Sequence, residues 1–431
     1  MSPRAVSHTV FTLIAVAGTG AVAAAGGRDP WAAALAGFML AVALFLALLL
    51  AVRNGEPLRR PAPDIIILLT IAWFAGLAVY RGVLPVAAPF LVRMGTYALA
   101  FGTAFVYCGS DRRIRRFCVT LAAAGAVFAL WGLIKFLTDL AAGHGTGGLS
   151  GPFVNKNHFA GLMEILLPCA AALFFFPFKR SQKLAALYPL VIMAAGLGFS
   201  LSRGGWISFG IGLVVYLIML VPLGARTGRL AAVVTLALIV GLTAGLFRFI
   251  GLTPIQAKVT ATMDDEYLGL AGRSQMWAAS FDAIRAHPGG FGPGTYPYAF
   301  TAYRPRGLAC FVTFAHNDYI QAAFEGGVIG LVLLVILIER LYNTIFAAFY
   351  QTLDRLKRKA FTPECDEAGL ISRAGILMGA AAVLTAIVVH SLVDFNLHLA
   401  GNGIFFALIM GLAMRVSADT AAEAAPADKR A

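Results

Sequence analysis

The sequence predicts an all-α polytopic membrane protein with about twelve transmembrane helices and one long outer loop that holds a short helix. Three observations predict it. The 431 residues are 59% hydrophobic and only 13% charged, with a mean hydropathy of +0.80, whereas soluble domains carry about a quarter charged residues. The apolar residues gather into stretches of about 17 to 25, the length that crosses a bilayer as a helix. The roughly ten-residue alternating segments of a membrane β-barrel are absent. Finally, the basic residues alternate from loop to loop. The net charge of +13 is therefore a matter of membrane orientation and implies no nucleic-acid partner.

In chain order the expected spans are 8–26, 31–52, 64–80, 85–108, 117–138, 157–177, 184–200, 205–222, 230–251, 318–348, 373–392 and 399–416. The seventh is short, and the tenth is long enough to tilt or project. Loops after even-numbered spans carry Arg53, Arg59 and Arg60; Arg112, Arg113, Arg115 and Arg116; Lys179, Arg180 and Lys183; Arg226 and Arg229; and Arg355, Lys357, Arg358 and Lys359. Short loops after odd-numbered spans carry mostly single charges: Arg28, Arg81, Lys156 and Arg203. Even-side loops and both termini are thus expected in the cytoplasm. The first span ends in small residues and has a second reading as a signal peptide. The five cysteines form no CxxC or Cys/His pattern, so neither zinc nor a disulfide framework is expected.

The chain divides into spans one to nine (1–251), a long outer loop (252–317), spans ten to twelve (318–417) and a polar tail (418–431) expected to be disordered. The long loop is rich in Trp, Tyr and Phe, a composition that argues for order. Within it, GRSQMWAASFDAIRAHPGG reads as a helix with Trp277, Phe281 and Ile284 on one face, stopped by Pro288 and the glycines after it. It is expected to lie on the membrane surface or to cap the spans.

Four polar groups fall on the outer side, although more than a hundred and fifty residues separate the first from the last. Asn155, Lys156, Asn157 and His158 open span six. Arg203 stands between spans seven and eight, followed by two glycines that permit close backbone approach. Arg273 sits in the first turn of the loop helix, where a cation opposes the helix dipole unless an anion binds there. His316, Asn317 and Asp318 open span ten, and Asp318, Gln321 and Glu325 share one face of a helix entering the membrane. Ionisable groups there point to function. Each group also has a plain reading: Arg203 as an interfacial anchor, Lys156 and His158 as interfacial residues, Arg273 as a solvated charge, His316 as a cap. Asp264, Asp265 and Glu266 read as a solvated turn or a cation site. His390, Asp394 and His398 read as a structural network or, less simply, as metal ligands. The sum is two or more arginines and a histidine on one face, with no metal expected. Arginines grip phosphate through paired donors, and a nearby histidine can take a proton from a hydroxyl. This is the equipment for a lipid-linked diphosphate that enters sideways from the bilayer. A flippase for such lipids would need similar groups, but it would place them at the midplane between repeats.

The segments GPFVNKNHFAGLMEILLP, SLSRGGW, GRSQMW…HPGGFGPGTY, AHNDYIQAAFEGGVIGL and HSLVDFNLH, in this order, resemble the O-antigen ligase and O-antigen polymerase family of bacterial envelope glycan assembly. They cover about residues 150 to 400; the first 120 residues match only as a set of spans. The resemblance implies a twelve-span, GT-C-like glycosyltransferase of the bacterial inner membrane. It would take a glycan from undecaprenyl diphosphate on the periplasmic face and pass it to lipid A core or to a growing polysaccharide. It implies inversion at the anomeric carbon, without metal or cofactor. By the resemblance, Arg203 and Arg273 would hold the diphosphate and His316 would activate the acceptor, with Asn317 and Asp318 extending the same motif. Lys156 is a further candidate for the diphosphate, and Asn155, Asn157, His158, Glu325 and Asp394 are candidates for support. The NKNH and HSLVDFNLH segments look more like members associated with exopolysaccharide synthesis than like lipopolysaccharide ligases, which favours a polymerase nearly as much as a ligase.

Overall fold

The structure is a computed structural model and describes residues 2–143, 147–223, 270–306, 308, 311–362 and 365–424. The described residues are helical, with no strand among them beyond an isolated bridge between Thr362 and Cys365. The first eight helices are α1 (Pro3–Ala23), α2 (Pro30–Arg53), α3 (Asp64–Tyr80), α4 (Leu84–Tyr107), α5 (Asp111–Ala141), α6 (Lys156–Ala172), α7 (Arg180–Phe199) and α8 (Arg203–Leu220). After the undescribed stretch come α9 (Leu270–Ala286), the short α10 (Tyr296–Ala299), α11 (Asp318–Arg358), α12 (Glu367–His390) and α13 (Ala400–Ala424). Among the described residues, ten helices are long and apolar enough to cross a membrane, and α3, at 17 residues, is a shorter apolar helix. Eleven of the expected spans thus coincide with helices; the ninth, 230–251, lies outside the described residues, as do Asp264, Asp265 and Glu266. The chain is a multi-pass membrane protein.

Apolar sequences become helices here because a bilayer offers no water to unpaired peptide groups. Packing then ranks them. The helices α6, α12 and α13 are enclosed on nearly all sides, whereas α2, α4 and α8 keep a broad lipid-facing side. Without a hydrophobic force between helices in lipid, close approach depends on small residues. The contact of α8 with α12 shows it: a Cβ on Gly212 would stand 2.6 Å from Ala382 O.

The long helix α11 is broken at Gly327 (φ 66°), a backbone conformation that only glycine adopts easily. The break leaves peptide groups unpaired, and the segment after α9 fills them. Phe291 N donates to Phe324 O (3.0 Å), Gly292 N to Glu325 O (2.9 Å), and Val328 N to Pro288 O (3.0 Å). Trp73 Nε1 takes Gly326 O at 2.8 Å. The loop domain is therefore docked on the kink, over an aromatic core in which its Tyr296 and Phe300 pack with Phe324 of α11.

Two expectations are corrected. The loop helix forms, but its buried face is Met276, Ala279, Ser280 and Ala283, while Phe281 is 48% exposed. Small side chains let the helix sit close, and Ser280 Oγ bonds Tyr296 Oη at 2.9 Å, so the larger Trp277 and Ile284 flank the contact rather than centre it. The polar tail is not disordered from residue 418: α13 continues to Ala424. Ion pairs hold it there, Asp419 with Arg59 (2.8 Å) and Arg415 (2.9 Å), and Glu423 with Arg355 (2.6 Å) and Arg373 (2.9 Å).

Candidate active site

The site begins with one strained residue. His316 has φ 50°, in the left-handed region that non-glycine residues avoid. Its neighbours hold it there. The Ala315 peptide is fixed on both sides: its N–H donates to Gln321 Oε1 (2.9 Å), and its carbonyl accepts from Trp277 Nε1 (2.8 Å). On the other side Asn317 caps α11, its Oδ1 accepting from Tyr319 N and Ile320 N, both at 3.0 Å. Asn317 Nδ2 donates to Leu392 O at 2.9 Å. Strain of this kind costs about 1–3 kcal/mol and persists where surroundings over-determine it.

The strain aims the imidazole at Asp394. His316 Nδ1 lies 3.3 Å from Asp394 Oδ1, which leaves Nε2 as the nitrogen free for chemistry. Asp394 is 1% exposed and gathers several donors. Asn157 Nδ2 reaches its Oδ2 at 2.8 Å, and Phe395 N reaches its Oδ1 at 3.0 Å. His158 Nε2 stands 3.8 Å from Oδ1, beyond hydrogen-bond distance, and has no hydrogen-bond partner among the described residues. Burial pushes the Asp394 carboxyl up, but His158 and His316 beside it outweigh burial and hold it well below the ordinary carboxylate range. Phe395 wedges between the two histidines, its ring 4.8 Å from each imidazole centroid.

Arg273 and the helix turn that Arg203 opens come to the same loop. Arg273 Nη1 donates to Val393 O, one residue before Asp394, at 2.5 Å. Arg203 opens α8, capped by Ser202, whose Oγ accepts from Gly205 N. A Cβ on Gly204, the next residue, would lie 3.3 Å from Val393 Cγ2. The Arg203 side chain has no hydrogen bond or ion pair among the described residues, so its guanidinium is available. Lys156 Nζ donates to Leu201 O at 3.1 Å and thus braces the turn before Arg203, at the edge of an outer cavity of about 500 Å³.

The remaining expected residues separate from this cluster. Asn155 caps α6, accepting from Asn157 N at 2.8 Å. Glu325 points into the loop domain, where Gly294 N (2.9 Å), Tyr296 N (3.2 Å) and Gln321 Nε2 (3.1 Å) occupy its carboxylate. Asp318 turns away from His316. Ser391 Oγ donates to its Oδ2 at 2.7 Å, and His398 Nε2 lies 3.3 Å from its Oδ1. This pair closes one end of a cavity of about 250 Å³, otherwise largely apolar, into which Arg93 and Tyr97 of α4 also face. His390, Asp394 and His398 therefore turn to three different partners, Glu164, His316 and Asp318. Sequence reasoning did not reach Phe395, Ser391 or Glu164. Only Glu164 carried a signal, as a lone carboxylate inside an apolar span.

A family model described as O-antigen ligase matches residues 188–335, about a third of the chain. Over these residues the chain is similar to that family. The matched domain runs from α7 into α11 and contains Arg203, Arg273 and the His316–Asn317–Asp318 run. No curated protein matches the chain. Asp394, which anchors His316, lies outside the matched domain and is contributed by the loop between α12 and α13.

Proposed function

We propose that the protein is a glycosyltransferase that moves a glycan from undecaprenyl diphosphate to an acceptor hydroxyl on the periplasmic face of the inner membrane. The observation that carries this reading is the His316–Asp394 pair, with Arg273 bound to the Val393 turn beside it and the first turn of α8, which Arg203 opens, packed against that turn through Gly204. Asp394 fixes the imidazole through Nδ1. His316 Nε2 takes the proton as the acceptor oxygen bonds to the anomeric carbon. The bond from that carbon to the phosphate oxygen breaks from the opposite face, which inverts the centre. The departing diphosphate keeps the electron pair, and the two guanidinium groups stabilise its charge. No step in this sequence calls on a metal or cofactor. His316 is 18% exposed at its side chain, so an acceptor can reach it.

Lipid A core and a growing polysaccharide are the two acceptor classes. The polymerase reading draws support from one contact. The NKNH and HSLVDFNLH segments, the two that look most like exopolysaccharide proteins, meet in the bond from Asn157 to Asp394. Purified protein with a synthetic undecaprenyl-diphosphate repeat and chelator separates the two. A ladder of longer lipid-linked chains without added core identifies a polymerase. One size shift that requires lipid A core identifies a ligase. Absence of any glycosidic product, with flipping of the lipid in proteoliposomes, overturns the enzymatic reading.

A further inference from the structure

A second buried acid–histidine pair lies beside the Arg203 turn, and the mechanism above does not use it. Glu164 of α6 is fully buried and His390, the last residue of α12, is 1% exposed. His390 Nδ1 lies 2.8 Å from Glu164 Oε1. Ser208 Oγ, on α8, lies 2.9 Å from Glu164 Oε2 and 2.7 Å from Gly204 O. One carboxylate thus joins three helices.

The first turn of α8 is built directly against this pair. A Cβ on Gly204 would come 3.2 Å from His390 Nε2, and a Cβ on Gly205 would come 2.7 Å from Ala160 Cβ and 3.1 Å from Glu164 Oε1. The two glycines after Arg203 are what allow that approach. His390 also starts the turn that carries the rest of the site: its carbonyl accepts from Val393 N (2.9 Å) and Asp394 N (3.0 Å). Val393 O holds Arg273, and Asp394 holds His316. A displacement of His390 would therefore move the supports of both arginines and of the histidine together.

Stability does not explain such a pair. Desolvating ionisable groups is costly, and replacing a buried pair with apolar residues of similar size is often neutral or stabilising. We propose that Glu164 and His390 are a positioning pair that sets the first turn of α8, and with it Arg203, at the angle and distance required by the lipid diphosphate. This inference rests on the role proposed above for Arg203.

The test compares the parent, Glu164→Gln, the double variant Glu164→Leu/His390→Leu, and Arg203→Gln as a control. Each is assayed for thermal midpoint, for binding of farnesyl diphosphate as a short isoprenyl probe, and for steady-state transfer. The double variant is expected to keep its thermal midpoint while kcat/KM for the lipid-linked donor falls about a hundredfold and probe binding weakens in parallel. Glu164→Gln keeps one acceptor oxygen for His390 Nδ1, and its amide nitrogen can donate to Ser208 Oγ while that hydroxyl donates to Gly204 O; it is expected to restore most of both. A folded double variant with parental donor KM and probe affinity overturns the inference. Should the double variant not fold, Ser208→Ala takes its place: it cuts the link from α8 to Glu164, and an unchanged donor KM overturns the inference. If Arg203→Gln binds the probe as well as the parent does, the role of Arg203 is wrong and the inference falls with it. If Arg203→Gln loses the probe and the double variant does not, only the positioning role fails.

Discussion

The two ends of the helical bundle both bury charge, and they arrange it in opposite ways. At the arginine-rich end, charges close on one another. Glu423 lies between Arg355 and Arg373, Asp419 between Arg59 and Arg415, and Glu56 bonds Arg113. These pairs tie α13 to α11, α12 and the loop after α2. At the other end the pairing is incomplete. Asp394 serves His316 and Asn157, but the Arg203 side chain has no partner among the described residues, His158 Nε2 makes no hydrogen bond there, and His316 is held in a strained backbone. The arginine-rich end has a loose atom too, Arg355 Nη2, but it belongs to a guanidinium already paired with a carboxylate. Paired charge fixes helices; donors and acceptors left open beside a strained histidine are what a substrate can use.

This contrast can be broken by experiment, and His316 is where the effect should be largest. Asparagine tolerates the left-handed backbone, so His316→Asn removes the base without adding strain. Transfer should fall by about 10² to 10⁴-fold with little change in thermal midpoint. A variant that keeps parental turnover would remove His316 from the chemistry.

Asp394→Asn comes next, with a loss of about 10²-fold expected from a misaligned imidazole. It also has a pH signature. The folded carboxyl titrates well below its ordinary value. Its contribution to stability is therefore complete above the unfolded pKa, near 4, and is lost as pH falls through the lower folded value. Thermal midpoints followed from about pH 6 to about pH 3 should fall more steeply for the parent than for Asp394→Asn. Parallel curves would mean that the carboxylate gains nothing from its histidine neighbours.

The opposite end should answer in stability rather than rate. Glu423→Ala strands two guanidinium groups that are 8% and 9% exposed, at a cost of about 3 kcal/mol, while transfer per folded molecule stays at the parental value. A loss of turnover without a loss of stability would blur the distinction between the two ends. The smallest effect belongs to Arg60→Ala. Its partner Asp64 is 2.8 Å away, but Arg60 is 79% exposed, so the change should be under about 1 kcal/mol in a denaturation experiment.

Much of this is legible in the sequence. The loops carrying Arg59, Arg113 and Arg355 do meet at one end, and Asn157, Arg203, Arg273, His316 and Asp394 at the other, as the alternation of charge required. What the sequence misread has identifiable causes. Phe281 lies on the exposed side of α9 because Ala279, Ser280 and Ala283, all small, make the closer contact. Residues 418 to 424 look like a disordered tail in composition, yet Asp419 and Glu423 have arginine partners from distant segments. Glu325 shares a helical face with Asp318 and reads as part of one polar ledge. The backbone N–H groups of Gly294 and Tyr296 claim it for the loop domain instead.

The sequence alone determined the helices and the residue types at the candidate site. A bilayer leaves an apolar stretch of about 20 residues no alternative to a helix, and arginine, histidine and aspartate keep their chemistry wherever they stand. Tertiary structure decided their partners. Asp394 and His316 are 78 residues apart, and Asn157 is 237 residues from Asp394. Pairings at such range follow from which helices can approach closely, as the glycines of α8 approach Glu164 and His390, and that depends on the fit of whole surfaces rather than on local pattern.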